Sequence, residues 1–111
     1  MNFRSQIDTR WREAQSLLCV GLDPDPNRLP MHLRQQPEAV LRFCVEIVDA
    51  TADLACAFKP QIAYFHAARA EDQLEALIAH IHTRHPGVPV ILDAKRGDIG
   101  ATAEAYAREA Y

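Results

Sequence analysis

The stretch Val88-Pro89-Val90-Ile91-Leu92-Asp93-Ala94-Lys95-Arg96-Gly97-Asp98 decides the fold class of this chain. Its first five residues are apolar, rich in β-branched side chains and too few for an independent helix, so they predict a buried strand. Charged residues follow this strand directly, and Gly97 permits a sharp turn. We expect an Ala-rich helix to begin near Asp98 and to continue to the end of the sequence.

Helical segments and further apolar runs alternate upstream of this stretch. Apolar residues spaced by three and four predict amphipathic helices, and Pro37 suits the first turn of one of them because that turn does not need its N–H. Two short apolar runs that stop at Asp, Lys and Pro residues predict two more buried strands. The predicted helices cover residues 3–15, 37–48 and 71–85, and the predicted strands cover residues 17–22, 54–58 and 88–92.

Three strands that alternate with helices indicate an α/β fold with a parallel sheet. Each return to a parallel neighbour needs a right-handed helical crossover, and the predicted helices supply these crossovers. A length of 111 residues is typical of one domain or less. We therefore expect residues 1–111 to belong to a single domain.

The composition is that of an ordinary globular protein, with 49% apolar and 24% charged residues. A net charge of -3 and scattered basic residues argue against nucleic-acid binding, which needs a concentrated positive surface. The sequence lacks the apolar run of roughly 18 residues that a membrane span needs, and no signal peptide is evident. Cys19, Cys44 and Cys56 have apolar neighbours and no CxxC spacing, which indicates buried thiols in a reducing compartment such as the cytoplasm.

Each predicted strand ends in a charged residue, and parallel α/β folds bind ligands at the carboxyl ends of their strands. These residues are Asp23, Lys59, and Asp93 with Lys95. Residues i and i+2 of a strand share a face, so Asp93 and Lys95 are expected side by side. Simpler interpretations are a solvated ion pair for Asp93 and Lys95, a helix N-cap for Asp98, a loop position for Lys59 and a turn position for Asp23.

Other chemistry-bearing residues form weaker patterns. The five histidines are expected at the surface, since His80, His82 and His85 have spacings that do not place all three on one helix face. Thr102 lies one helical turn after Asp98, and a threonine inside a helix usually does not bind a ligand. No GxGxxG or GxxxxGK[ST] phosphate loop occurs. The full set of histidines is His32, His66, His80, His82 and His85.

Three segments at successive strand ends match one known family. They are Val20-Gly21-Leu22-Asp23-Pro24, Phe58-Lys59-Pro60-Gln61-Ile62-Ala63-Tyr64-Phe65, and Leu92-Asp93-Ala94-Lys95-Arg96-Gly97-Asp98-Ile99-Gly100-Ala101-Thr102. In these segments the sequence resembles the orotidine 5′-phosphate decarboxylases, and within them the longer bacterial subgroup. Three motifs in this order are far more specific than the Asp-x-Lys-x-x-Asp pattern alone.

The resemblance implies a (β/α)₈ barrel that works as a homodimer and converts orotidine 5′-monophosphate to UMP and CO₂ in pyrimidine biosynthesis. It implies no metal and no organic cofactor. Lys95 would be the proton donor to pyrimidine C6, and Asp93 would lie against the substrate carboxylate. Lys59 and Asp98 would complete the charged network, with Asp98 reaching into the neighbouring subunit's site. The implied substrate-binding residues are Asp23, for the ribose hydroxyls, and Ile99 and Thr102, for the partner's pocket.

Two alternatives stay open. A sugar-phosphate enzyme of the same superfamily, such as a hexulose-phosphate synthase or a ketogulonate-phosphate decarboxylase, shares the Asp-x-Lys-x-x-Asp run but binds Mg²⁺ through an acidic residue where this chain has Lys59. A non-catalytic fragment is the other, because a (β/α)₈ barrel takes about 250 residues and only three of its eight units are recognisable here. No segment of this sequence matches the Gln and Arg that bind the substrate phosphate in the family. We therefore expect residues 1–111 alone to be inactive.

Overall fold

The computed structural model describes residues 2–111, and its elements alternate between helix and strand. The strands are β1 (Cys19–Leu22) and β2 (Ala57–Pro60), which pair in parallel with Leu22 opposite Pro60. The helices are α1 (Phe3–Ala14), α2 (Met31–Arg34), α3 (Ala39–Thr51), α4 (Ile62–Ala67), α5 (Glu71–Arg84) and α6 (Gly100–Ala110), with a 3₁₀ turn at Pro26–Arg28. The α/β class and the parallel pairing predicted from the sequence are confirmed.

The predicted third strand is present as an extended segment, residues 89–93, parallel to β2 and joined to it by two separate bridges. The hydrogen bonds run from Phe58 N to Pro89 O (3.1 Å), Ile91 N to Phe58 O (2.8 Å), Asp93 N to Pro60 O (3.0 Å) and Ile62 N to Asp93 O (3.0 Å). If this alternation continued, the backbone N–H of residue 60 would donate to Ile91 O. Residue 60 is proline, which has no N–H to donate. One missing bond therefore divides a regular ladder into two bridges.

One apolar run is less buried than the sequence predicts, and another forms its strand later in the chain. Leu17 and Leu18 are 78% and 51% exposed, and Leu22 is the one buried residue of β1. Within residues 2–111, β1 is an edge strand, so an apolar sequence does not ensure its burial. The second strand is displaced by three residues, since Leu54 belongs to the turn after α3 and β2 begins at Ala57.

Two helices begin later than the sequence predicts. Pro37 lies outside α3 because Glu38 adopts a φ of 53°, a left-handed conformation that a right-handed helix cannot contain. α6 begins at Gly100 with Ile99 as its N-cap, two residues after the expected start. Asp98 is therefore not the N-cap, and its carboxylate accepts a hydrogen bond from Ile99 N at 2.8 Å.

The hydrophobic core lies between the sheet and helices α3, α4 and α5. Its fully buried members are Val48 and Cys44 from α3, Phe58 from β2, Phe65 from α4, and Leu77 and Ile81 from α5. Burying one such side chain stabilises a fold by about 1.5–3 kcal/mol. One of the two largest, Phe58, immediately precedes Lys59, so the core holds the backbone that carries this charged residue.

The cysteine prediction is partly right. Cys44 is fully buried, and burial together with the charge of Asp23 raises the pKa of its thiol to about 12. Cys56 is buried as well, whereas Cys19 is exposed within residues 2–111. Each thiol is free in the structure.

Helix α1 packs at the end of the sheet where the strands begin. Ile7 contacts Cys56 and Ala57, and Arg10 donates hydrogen bonds to the carbonyl oxygens of Ala52 (2.6 Å) and Ala55 (2.9 Å). These contacts occupy the amino-terminal end of β2, so the carboxyl ends of the strands are left for the charged residues. Among the helices within residues 2–111, none is both long and apolar enough to cross a membrane.

Candidate active site

The carboxyl ends of the three extended segments meet at one edge of the sheet. Leu22 is opposite Pro60 in the β1–β2 pair, and Gln61 is opposite Asp93 in the next pair. This register places Asp23, Lys59 and Asp93 at successive positions along the edge. The prediction that the strand ends converge is confirmed.

A three-residue ion cluster forms at this edge. Lys59 Nζ lies 3.5 Å from Asp93 Oδ2, and Lys95 Nζ donates a hydrogen bond to the same oxygen. The side chain of Asp93 is 10% exposed, while those of Lys59 and Lys95 are 37% and 77% exposed. These are the two lysines of the whole sequence, so both of its ammonium groups converge on a single carboxylate oxygen.

The cluster favours the ionised form of Asp93. The hydrogen bond from Lys95 is the main reason that the pKa of Asp93 lies below its usual value; partial burial opposes it, and the charges of Lys95 and Lys59 reinforce it. The carboxylate is thus held as an anion between two cations. Both ammonium groups would repel a divalent metal placed at this carboxylate.

We predict that Lys95→Ala raises the pKa of Asp93 more than Lys59→Ala does, because Lys95 supplies the stronger hydrogen bond. The carboxyl ¹³C resonance of Asp93, followed by NMR from pH 2 to 7, measures this difference. Since the folded pKa is lowered, the interaction stabilises the fold above about pH 4 and is lost as the pH falls through the folded pKa. Equal increases in the pKa of Asp93 in the two variants would contradict the conclusion that Lys95 lowers this pKa more than Lys59 does.

Asp98, Ile99 and Thr102 do not join this cluster. Within residues 2–111 Asp98 forms no ion pair with Lys59 or Lys95. Its carboxylate accepts a hydrogen bond from the backbone N–H of Ile99. Ile99 is 85% exposed, and Thr102 is exposed on α6. Asp98 lies in the segment between residues 89–93 and α6, which begins at Gly100.

Asp23 borders a small cavity. The cavity has a volume of about 160 Å³ and is also lined by Asp25, Arg28, Phe43 and Tyr64. Pockets for small-molecule ligands usually measure about 300–1,000 Å³. This cavity is therefore smaller than a usual ligand pocket.

Arg96 makes contacts that the sequence pattern did not predict. Its Nη2 lies 2.7 Å from His66 Nδ1 and 3.2 Å from Glu109 Oε1, and its guanidinium lies 5.0 Å from the centre of the Tyr106 ring. These contacts join α4 and α6 behind the cluster. They connect residues 30 and 13 positions apart, which local spacing cannot reveal.

The histidine prediction is only partly right. His32 and His82 are exposed, but His66, His80 and His85 are half-buried and paired with carboxylates. Nε2 of His80 and of His85 lie 2.7 and 2.8 Å from Asp49 Oδ1. Burial tends to raise the pKa of Asp49, but hydrogen bonds from His85 and His80 outweigh it, so this pKa lies below its usual value.

Comparison with known proteins agrees with this geometry. Residues 16–111 match the family described as Orotidine 5'-phosphate decarboxylase / HUMPS family, which covers all three extended segments. The chain belongs to this family. Orotidine 5'-phosphate decarboxylases from Aromatoleum aromaticum and an Azoarcus species are 71% and 68% identical to it over all 111 residues.

The structural comparison extends the same likeness. The structure of Leishmania donovani OMP decarboxylase superimposes with a TM-score of 0.75 at 34% identity, over 99% of this chain and 40% of that one. The architecture is accordingly the first three βα units of a (β/α)₈ barrel. The chain spans 41% of the length of the two curated decarboxylases. The orotidine 5'-phosphate decarboxylase family is thus established for this chain, over less than half of its relatives' length.

Proposed function

We propose that the protein carrying this chain is an orotidine 5′-phosphate decarboxylase, which converts orotidine 5′-monophosphate to UMP and CO₂ in pyrimidine biosynthesis. The observation that carries the proposal is the contact of Lys59 and Lys95 with one oxygen of Asp93 at the carboxyl edge of the sheet. Family membership and the high identity to curated decarboxylases support it.

Lys95 is proposed as the proton donor. Loss of CO₂ from C6 leaves a carbanion in the plane of the pyrimidine ring, which the π system cannot delocalise. An adjacent ammonium group stabilises this charge and can then protonate the carbon. Lys95 fits this role because it extends from the strand end, is 77% exposed and is oriented by Asp93.

Asp93 is proposed to lie against the carboxylate that leaves the substrate. Two adjacent anions are unfavourable in the bound state, and this repulsion is relieved when neutral CO₂ departs. Lys59 and Lys95 lower the pKa of Asp93 and so keep its carboxylate ionised. Lys59 thus allows the site to hold an anion without a metal ion, whereas a Mg²⁺-dependent relative would need an acidic group at this position.

The remaining predicted residues are proposed to act in a homodimer of the complete protein in the cytoplasm. Asp98 is proposed to complete the charged network of the neighbouring subunit, since within residues 2–111 it forms no ion pair with Lys59 or Lys95 of its own chain. Ile99 and Thr102 are proposed to line the same partner pocket, and their exposure leaves them free for this contact. Asp23 is proposed to bind ribose hydroxyls beside its small cavity.

Residues 1–111 are proposed to be one part of a single barrel domain without useful activity of its own. Three extended segments form an open sheet, and the cavity beside Asp23 holds about 160 Å³. A (β/α)₈ barrel usually binds substrate phosphate after its seventh and eighth strands. The catalytic cluster would therefore lack the groups that bind the substrate phosphate.

The activity test follows the absorbance of orotidine 5′-monophosphate with the natural full-length protein, with and without EDTA. We predict equal rates in both conditions, because two ammonium groups supply the positive charge at the site. We also predict no measurable turnover by residues 1–111 in the same assay. Loss of activity in EDTA would contradict metal-independent catalysis, and no turnover in either condition would favour the sugar-phosphate enzyme. Turnover by residues 1–111 would contradict the proposal that they carry only part of the site.

A further inference from the structure

A second cluster of ionisable side chains lies outside the candidate active site, between α3 and α5. Asp49 is in the last turn of α3, His80 is in the last half of α5, and His85 caps the end of α5. Nε2 of each histidine is within hydrogen-bond distance of the same oxygen, Asp49 Oδ1, at 2.7 and 2.8 Å. Two imidazoles and one carboxylate therefore converge on a single point.

The backbone holds these three side chains in place. Asp49 follows Val48, and His80 precedes Ile81; both of these neighbours are fully buried in the core. His85 N donates to Ile81 O at 2.8 Å, and His85 O accepts from Val88 N at 3.0 Å. Side chains fixed on packed helices present ligand atoms with little loss of entropy on binding.

The donor atoms suit a divalent transition metal. Zn²⁺ binds imidazole nitrogen and carboxylate oxygen at about 2.0–2.2 Å, and catalytic and surface sites with three protein ligands complete the shell with water. The three ligand atoms lie within 4.8 Å of one another. A shared Zn²⁺ would need the two N–O separations to open from hydrogen-bond length to roughly 3 Å, a shift within side-chain reach.

We propose that Asp49, His80 and His85 form a binding site for Zn²⁺ or a similar divalent transition metal, which joins α3 to α5. The side chains are 22–48% exposed, so the site is open to metal from solvent and has room for water ligands. Ca²⁺ and Mg²⁺ are excluded as preferred occupants, because they favour all-oxygen shells.

The location indicates a structural role for this metal. Helices α3 and α5 return the chain to the amino-terminal end of the sheet, so their last turns lie opposite the edge that carries Lys59, Asp93 and Lys95. In βα barrels that opposite face contributes to stability rather than to chemistry. Bound Zn²⁺ should therefore raise the melting temperature and leave the turnover rate at 25 °C unchanged.

The test titrates ZnCl₂ into the natural full-length protein after EDTA treatment and dialysis, using isothermal titration calorimetry at pH 7.5. Asp49→Asn and His80→Ala remove one ligand each, and we expect each to weaken Zn²⁺ binding by about tenfold or more. His82→Ala is the matched control, since His82 lies on the same helix but is exposed and outside the cluster. It should change the affinity less than about twofold.

Two results would overturn the proposal. One is wild-type protein that binds Zn²⁺ no more tightly than Asp49→Asn, which would leave the cluster as an ion pair only. The other is an equal loss of affinity in His82→Ala, which would place the metal elsewhere. If His80→Ala fails to fold by circular dichroism, His85→Gln replaces it, because glutamine retains the length of the side chain without the imidazole.

Discussion

Replacement of Lys95 by alanine is expected to lower kcat/KM for orotidine 5′-monophosphate by roughly 10³-fold or more in the natural full-length protein. The change removes a general acid and the electrostatic stabilisation of the C6 carbanion, each of which commonly contributes about 10²-fold or more. It also removes the main hydrogen bond to Asp93. The rate is measured from the loss of substrate absorbance, and substrate affinity is measured separately by calorimetry.

Arg108→Ala is the matched control for loss of a cationic side chain. Arg108 is 71% exposed and pairs with Glu104 on the surface of α6, away from the cluster. Its replacement should change kcat/KM less than about twofold, because exposed ion pairs contribute little. A Lys95→Ala variant that keeps the wild-type rate would remove Lys95 from the chemistry and leave the ion cluster a structural role.

Replacement of Phe58 by alanine is expected to lower the free energy of unfolding by about 3–5 kcal/mol, which is the usual cost of truncating a buried phenylalanine. Phe58 is fully buried in the core between the sheet and the helices, and its backbone joins β2 to residues 89–93. A cavity at this point would loosen both Lys59 and Asp93, so we also expect reduced activity. Urea denaturation followed by circular dichroism measures the stability.

Phe3→Ala controls for loss of a phenyl ring outside the core. Phe3 is 50% exposed on α1, so its truncation should cost less than about 1 kcal/mol. If the two variants unfold at the same urea concentration, the assignment of Phe58 to the central core is wrong. If only Phe58→Ala is destabilised, the result supports a core between the sheet and helices α3, α4 and α5.

Much of the candidate site could be predicted from local sequence. Asp93 and Lys95 are two residues apart on an extended segment, and this spacing alone places them on one face. Lys59 could be added because a strand end preceded it and the α/β pattern brings strand ends together. Asp98 shows the limit of this reasoning, since spacing suggested a helix cap whereas Ile99 is the N-cap of α6.

Long-range contacts could not be predicted in this way. The cluster of Asp49, His80 and His85 draws on two helices whose contributing residues are more than 30 positions apart, and the histidine spacing alone suggested surface residues. The contacts of Arg96 with His66 and Glu109 have the same origin. Hydrophobic periodicity reports which face of a helix is buried, but not which partner that face meets.

The sequence by itself determined the α/β class, the order of the elements and the charged residues at the strand ends, because these depend on periodicity and on short-range stereochemistry. Only the tertiary structure decided how far each predicted strand is buried and which ionisable groups meet. Leu54 is exposed although its apolar run predicts a buried strand, and the hydrogen bonds between β2 and residues 89–93 are interrupted at Pro60, which has no N–H to donate. Burial and pairing are properties of two segments at once, and neither segment encodes them alone.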